Sequence, residues 1–176
     1  MMPTNDQPKM ENTVAQYWKI LHYNVEFVKF FDTKATIIIT TYGLIITFLC
    51  TNTQITHGAL IQNGLSLVLT ILSGISALMA IFYAFRCLNP KLIKLNSQTV
   101  VFFGHIANHK NYTEFDEQLK MILSETEIYK MQLSEQIFSN SKVAYGKFRN
   151  VAHSMRFSLA SLGFLLLELV FYLLRV

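Results

Sequence analysis

From Ala35 to Phe85 the chain carries no Asp, Glu, Lys or Arg, an uncharged stretch of 51 residues. A soluble domain places charged side chains wherever its elements meet water, and about a quarter of its residues are usually charged. Here 15% are charged and 52% are apolar. A stretch of this length without a single charge belongs in a bilayer. The pattern excludes a disordered chain, a disulfide-stapled secreted domain and an ordinary soluble enzyme. The net charge of +4 is too small to argue for a nucleic-acid partner, and none is expected; the basic residues read instead as topology signals.

Three segments are long and apolar enough to cross. The first runs from Ala35 to about Thr51, near the lower limit for roughly 30 Å of hydrocarbon, with Asp32 and Lys34 at the headgroup interface. The second runs from about Leu65 to Phe85, after a polar connection from Asn52 to Asn63 that lacks formal charge. The third runs from Phe157 to Leu174 and contains one acid, Glu168. The expected fold is therefore an all-α integral membrane protein with three transmembrane helices. Residues 1–34 form an amphipathic N-terminal segment, 35–85 a transmembrane hairpin, 86–156 a mainly helical insert and 157–176 the last span.

Lys and Arg assign the sides. Lys9, Lys19, Lys29 and Lys34 precede the first span. Arg86, Lys91 and Lys94 follow the second, and Lys142, Lys147, Arg149 and Arg156 precede the third. The positive-inside rule places the N-terminus and the insert in the cytoplasm, with the hairpin tip and C-terminus outside, in a multi-pass protein of the cell inner membrane. The first hydrophobic run starts too late for a cleavable signal. Cys50 and Cys87 fall at opposite ends of the hydrophobic zone, so no disulfide joins them in this reading.

Local signals fill in the remainder. Val14, Trp18, Leu21, Val25 and Val28 recur at helical spacing, which predicts a helix running into the first span. Asn89-Pro90 should end the second helix. Thr113 with Asp116 reads as an N-cap, and a further helix from near Thr126 can continue into the third span, with Gly146 too weak a breaker to stop it. Each span has a face of small or hydroxylated residues. In the first these are Thr36, Thr40, Gly43, Thr47 and Thr51; in the second, Ser66, Thr70, Ser73, Ala77, Ala80 and Ala84; in the third, Ser154, Ser158, Ser161, Glu168, Tyr172 and Arg175, with Leu165 the apolar exception. Small faces let membrane helices approach closely and hydroxyls bond across them, so these faces either pack the bundle and its homo-oligomer or line a water-filled path. Leu69 is assigned to the outward aliphatic face. Glu168 either reaches the outer interface or faces the bundle interior.

No catalytic signature is present: no GxSxG, HExxH, Walker A loop or glycine-rich dinucleotide turn. His105 and His109 are one helical turn apart, but no neighbouring ligand completes a metal site, so neither a metal nor a catalytic residue is expected.

Three motifs occur in a fixed order: Asp32-Thr33-Lys34-Ala35, Phe102-Phe103-Gly104-His105-Ile106-Ala107, and Lys142 followed by Lys147 and Arg149. Together they resemble the transmembrane effectors of Pycsar, a bacterial anti-phage system, over nearly the whole chain. The resemblance implies no enzymatic activity and no cofactor. It implies activation by a cyclic pyrimidine mononucleotide, cyclic CMP or cyclic UMP, made by a partner cyclase, followed by membrane disruption and abortive infection. A cyclic nucleotide needs cations or donors for its phosphate and a flat surface for its base. The candidates in the insert are Phe102, Phe103, His105, Asn108, His109, Lys147 and Arg149. Two competing readings are a holin-like or channel-forming protein without nucleotide sensing and a membrane anchor for a soluble partner.

Overall fold

A computed structural model of the chain describes residues 7–52, 64–89 and 99–174. Every regular element among them is a helix: α1 (Gln7–Thr51), α2 (Gly64–Leu88), α3 (Phe103–Ile106), α4 (Tyr112–Ser124) and α5 (Thr126–Leu173). The α1, α2 and α5 helices are long and apolar enough to cross a membrane. The 45 residues of α1 and 48 of α5 are more than twice the ~20 that one crossing requires, so both carry long polar extensions. Gly146 lies within α5 without interrupting it. The α2 helix ends at Leu88, where Asn89 N–H still donates to the Phe85 carbonyl at 3.0 Å before Pro90. Most of the connection from Asn52 to Asn63 lies outside the described residues.

The α4 helix starts earlier than the Thr113 cap predicts. Asn111 is the cap: its backbone is extended, and its side-chain oxygen accepts from Glu114 N–H at 2.9 Å. Asparagine is among the best residues for this position, and Glu114 returns a bond by accepting from Lys110 N–H at 3.3 Å. The Asn111–Glu114 spacing carried this signal as well as Thr113–Asp116 did.

The chain divides into two compact units, one of Met1–Lys29 and Lys91–Tyr145, the other of Phe30–Pro90 and Gly146–Val176. In the first unit, Leu21, Val100, Ile122, Leu133 and Ala144 are buried, and Trp18 Nε1–H donates to the Tyr129 hydroxyl at 3.1 Å. The second unit holds the apolar spans. Its core is Ala35, Ala84, Cys87 and Val151, flanked by Phe31, Ile38, Ile39 and Leu88.

Within this membrane unit α2 and α5 pack through an antiparallel seam. Ser66 donates to Glu168, Ser73 to the Ser161 carbonyl, Ser154 to the Ala80 carbonyl and Lys147 to the Cys87 carbonyl. Each step of seven along α2 is matched by a step of seven back along α5. A strict seven-residue repeat is a 3.5-residue period, which keeps one stripe of a helix against its partner. Alanine, serine and cysteine at these α2 positions leave α5 room to approach, so its side chains reach backbone carbonyls. The Ser154–Ala80 contact, at 2.7 Å between fully buried residues, is the closest of these approaches.

The small-residue stripe is narrower than the buried arc. Leu69, expected on the outward face, is buried with 9% exposure, because it lies one turn from Ser73 on the flank of the seam. The first span differs more. Thr36, Thr40, Gly43, Thr47 and Thr51 are all exposed, and the hydroxyls of Thr36, Thr47 and Thr51 donate to carbonyls of their own helix. The α1 helix packs through Phe31, Ala35, Ile38, Ile39 and Tyr42 instead. Threonine can satisfy its hydroxyl on the preceding turn, so its presence on a span does not by itself select the packed face.

Ala80→Leu should destabilise the unit by about 1–3 kcal/mol, since the added carbons must displace α5. Leu78→Ala, at a position 68% exposed, should change stability by less than ~0.5 kcal/mol. Thermal unfolding in detergent micelles separates the two outcomes.

Candidate functional site

The seam carries its charges at its two ends. At the C-terminus of α2 the last carbonyls have no partner within their own helix. Lys147 on α5 donates to one of them, Cys87 O, at 3.0 Å, and Asn150 Nδ2 donates to another, Arg86 O, at 3.3 Å. The same Lys147 ammonium pairs with Asp32 on α1, at a site where the lysine side chain is 11% exposed. Cys87 is fully buried beside this group, with its sulfur 3.8 Å from the Phe31 carbonyl, and the Phe31 and Phe148 rings pack 5.7 Å apart. One lysine thus ties together all three long helices. At the other end Glu168 accepts from Ser66 at 3.1 Å and Thr70 at 2.8 Å. Both hydroxyls lie in the first two turns of α2, so the carboxylate faces that helix's positive end while Lys147 faces its negative one. Glu168 is half-buried and faces α2, as the interior alternative expects. Between these ends, Ser73 and Ser161 share a hydroxyl contact at 3.3 Å, and Tyr83 stacks on Phe157 at 5.7 Å.

The other unit gathers a different polar set. The segment Thr99–Val100 runs against α5, where Val100 N–H donates to Gln132 Oε1 at 3.0 Å. Thr99 N–H donates to His105 Nδ1 at 2.9 Å, and the Phe102 ring meets His105 edge-on at 5.1 Å. Gly104 sits under that ring: a Cβ there would come within 2.6 Å of Phe102 Cε1. The glycine of the aromatic-Gly-His motif therefore lets Phe102 fold back across the short helix α3. Gln132, Gln136 and Ser139 form a buried polar row along α5, and Gln136 Nε2 donates to Asn140 Oδ1 at 3.3 Å.

These contacts sort the residues singled out from the sequence. Phe102 and His105 touch, and both belong to the unit built on Thr99 and Gln132. His109 packs against Phe115 at 5.6 Å, and Asn108 is exposed. The Phe103 side chain lies outside the described residues. Lys147 and Arg149 belong to the membrane unit, the first engaged with Asp32 and Cys87, the second exposed. Lys34 lies 4.3 Å over the Phe30 ring. Ser66, Thr70, Ser73, Ser161 and Glu168 bond across the α2–α5 seam. The Ser158 carbonyl lies 3.5 Å from the Tyr42 hydroxyl, and Ala77 is half-buried. The described residues include no group of three His, Cys, Asp or Glu able to hold a metal ion.

The pairing of Asp32 with Lys147, the Asn150 contact and the buried Thr99, Gln132 and Gln136 did not emerge from the sequence. A signal for the first existed: an acid and a lysine, each bordering a hydrophobic run on the same expected side. Removing one member of a largely buried pair leaves the other uncompensated. Lys147→Met also uncaps the Cys87 carbonyl and should cost about 2–4 kcal/mol. Asp32→Asn, at a carboxylate 36% exposed, should cost less, about 1 kcal/mol. A double-mutant cycle read by thermal unfolding in detergent should return a loss for the pair smaller than the sum of the single losses.

The family model described as the Pycsar effector protein domain matches residues 16–174. No curated protein and no solved structure matches the chain. The match takes in both compact units, the Asp32–Lys147 pair and the Phe102–His105 corner. This chain belongs to the Pycsar effector family and is an anti-phage defence effector with a transmembrane domain.

Proposed function

We propose that the protein is a messenger-gated effector. A cyclic pyrimidine mononucleotide made by a partner cyclase binds the polar unit, and the membrane unit then disrupts the inner membrane, so that the infected cell dies before phage matures. The chain performs no catalysis of its own in this reading. The observation that carries it is the composition of α5. One uninterrupted helix holds Gln132, Gln136 and Ser139 in the polar unit and Lys147, Ser154, Ser161 and Glu168 in the membrane unit. A ligand that prefers one arrangement of the first set biases the second through a shared backbone, which is all a two-state switch requires.

The membrane unit suits such a switch. Its helices are held by hydroxyl and amide contacts and one ion pair, each of modest net strength, and these can exchange for contacts in a second arrangement. The exposed threonine face of α1 is the surface through which the active state self-associates or admits water in this reading. The polar unit faces the cytoplasm, where the cyclase product is made.

Two experiments test the proposal. Membrane potential should collapse in cells that express the protein together with a pyrimidine cyclase and hold in cells that express the protein alone. Collapse without a cyclase would instead indicate a holin-like channel. For orientation, Ser124→Cys should be protected from an impermeant thiol reagent in intact spheroplasts and Asn52→Cys should react, measured on a background with Cys50 and Cys87 replaced by alanine. The reverse labelling would place the polar unit where no cytoplasmic messenger could reach it and would sink the proposal.

A further inference from the structure

The corner between Thr99, His105 and α5 has hydrogen-bonding capacity that its own contacts leave unused. Val100 N–H is taken by Gln132 Oε1, Thr99 N–H by His105 Nδ1, and the Gln136 amide donates to Asn140. Two oxygens remain buried and unpartnered: the Thr99 hydroxyl, in a residue 1% exposed, and Gln136 Oε1, in a residue 8% exposed. Folded chains rarely leave buried oxygens unpaired unless something else binds them. A hydrogen bond and one turn of α5 link the two. Val100 is bonded to Gln132, so Thr99 lies beside Gln132, one helical turn from Gln136.

The frame also fixes what these groups offer. His105 Nδ1 accepts the hydrogen bond of Thr99 N–H, so the ring carries its hydrogen on Nε2 and presents a donor there. Gln136 donates through Nε2 to Asn140, so its free atom is an acceptor. The Thr99 hydroxyl can do either. An acceptor, a donor and a hydroxyl, beside the Phe102 ring that crosses Gly104, form the complement of a heterocycle edge carrying an N–H next to a carbonyl or ring nitrogen. Cytosine offers such an edge with its amine and N3, and uracil with its N3–H and carbonyls.

We infer that this corner is the base-recognition site of the polar unit. Gln136 Oε1 accepts the base N–H, the Thr99 hydroxyl bonds the adjacent base atom, and His105 Nε2–H donates to a ligand oxygen. The inference deepens the proposed function and rests on it, since the ligand is the pyrimidine nucleotide named there. It also moves recognition onto α5 itself, because Gln136 is a residue of that helix.

The test uses the full chain in lipid nanodiscs titrated with cyclic CMP and cyclic UMP, with thermal midpoints measured on the same samples. Thr99→Val and Gln136→Met remove the free oxygens with little change of shape. Each should weaken binding about tenfold; the Thr99→Val midpoint should stay unchanged or rise, because an unpaired buried oxygen has been removed, whereas Gln136→Met also loses the bond from Nε2 to Asn140. Thr99→Ser, which keeps the hydroxyl, should bind like the unmodified protein. Undiminished binding by both Val and Met variants would overturn this site while leaving the proposed function standing. The same result with a lowered Thr99→Val midpoint would assign that oxygen to ordered internal water and also overturn the site. If the unmodified chain binds neither nucleotide, the site and the nucleotide-gated reading both fall.

Discussion

A bilayer offers no water to a polar group, so whatever hydrogen-bonding capacity a span carries must be met by the protein itself. The α2–α5 seam is built around that requirement. Along it Ser66, Thr70, Ser73, Lys147, Asn150, Ser154 and Glu168 each reach a partner on the helix opposite. The matched steps of seven make this possible at four levels, because one register satisfies every level together. A slip by one residue would turn Ser161 and Glu168 toward lipid and leave Lys147 without its carbonyl. The polar groups therefore specify the pairing, although their bonds add little strength individually.

Orientation along the seam is specified by charge. Antiparallel packing brings Lys147 to the carbonyl end of α2 and Glu168 to its amino end. Each charge then opposes the sign of the helix terminus it meets. A parallel arrangement would set both against termini of their own sign. Asp32 extends the same logic to α1: it neutralises the largely buried Lys147 ammonium, and it does so from just before the apolar run of α1. Three helices with separate apolar surfaces acquire a common registration from a single cation.

How much of this was legible depended on whether the cause was local. The uncharged run and the lengths of its apolar segments are properties of consecutive residues, and three membrane-length helices follow from them directly. The small faces of α2 and α5 were visible as periodic stripes, and these are the stripes that meet. The threonines of α1 gave the same periodic signal and lie on an exposed face, because hydroxyls that bond their own helix look identical in sequence to hydroxyls that bond a neighbour. Lys147 illustrates the other kind of difficulty. Its place among basic residues at a membrane edge explains it adequately by topology alone, and nothing local reveals that Asp32, 115 residues away, is its partner. Thr99, Gln132 and Gln136 are harder still, since isolated polar residues in a polar segment read as surface until the fold buries them.

The two polar systems of this chain differ in a way that bears on how it works. In the membrane unit Lys147 has two partners and Glu168 has two. In the other unit Thr99 and Gln136 each hold a buried oxygen with none. A satisfied network within hydrocarbon changes only by exchanging one protein partner for another, because lipid supplies none. An unsatisfied one invites change, because a ligand that supplies the missing partners lowers the free energy of whichever arrangement receives it. Unused bonding capacity thus occurs in both units, at Thr99 and Gln136 in one and at the Ser158 hydroxyl in the other. Gln136 and Lys147 both belong to α5, the first in the polar unit and the second in the membrane unit.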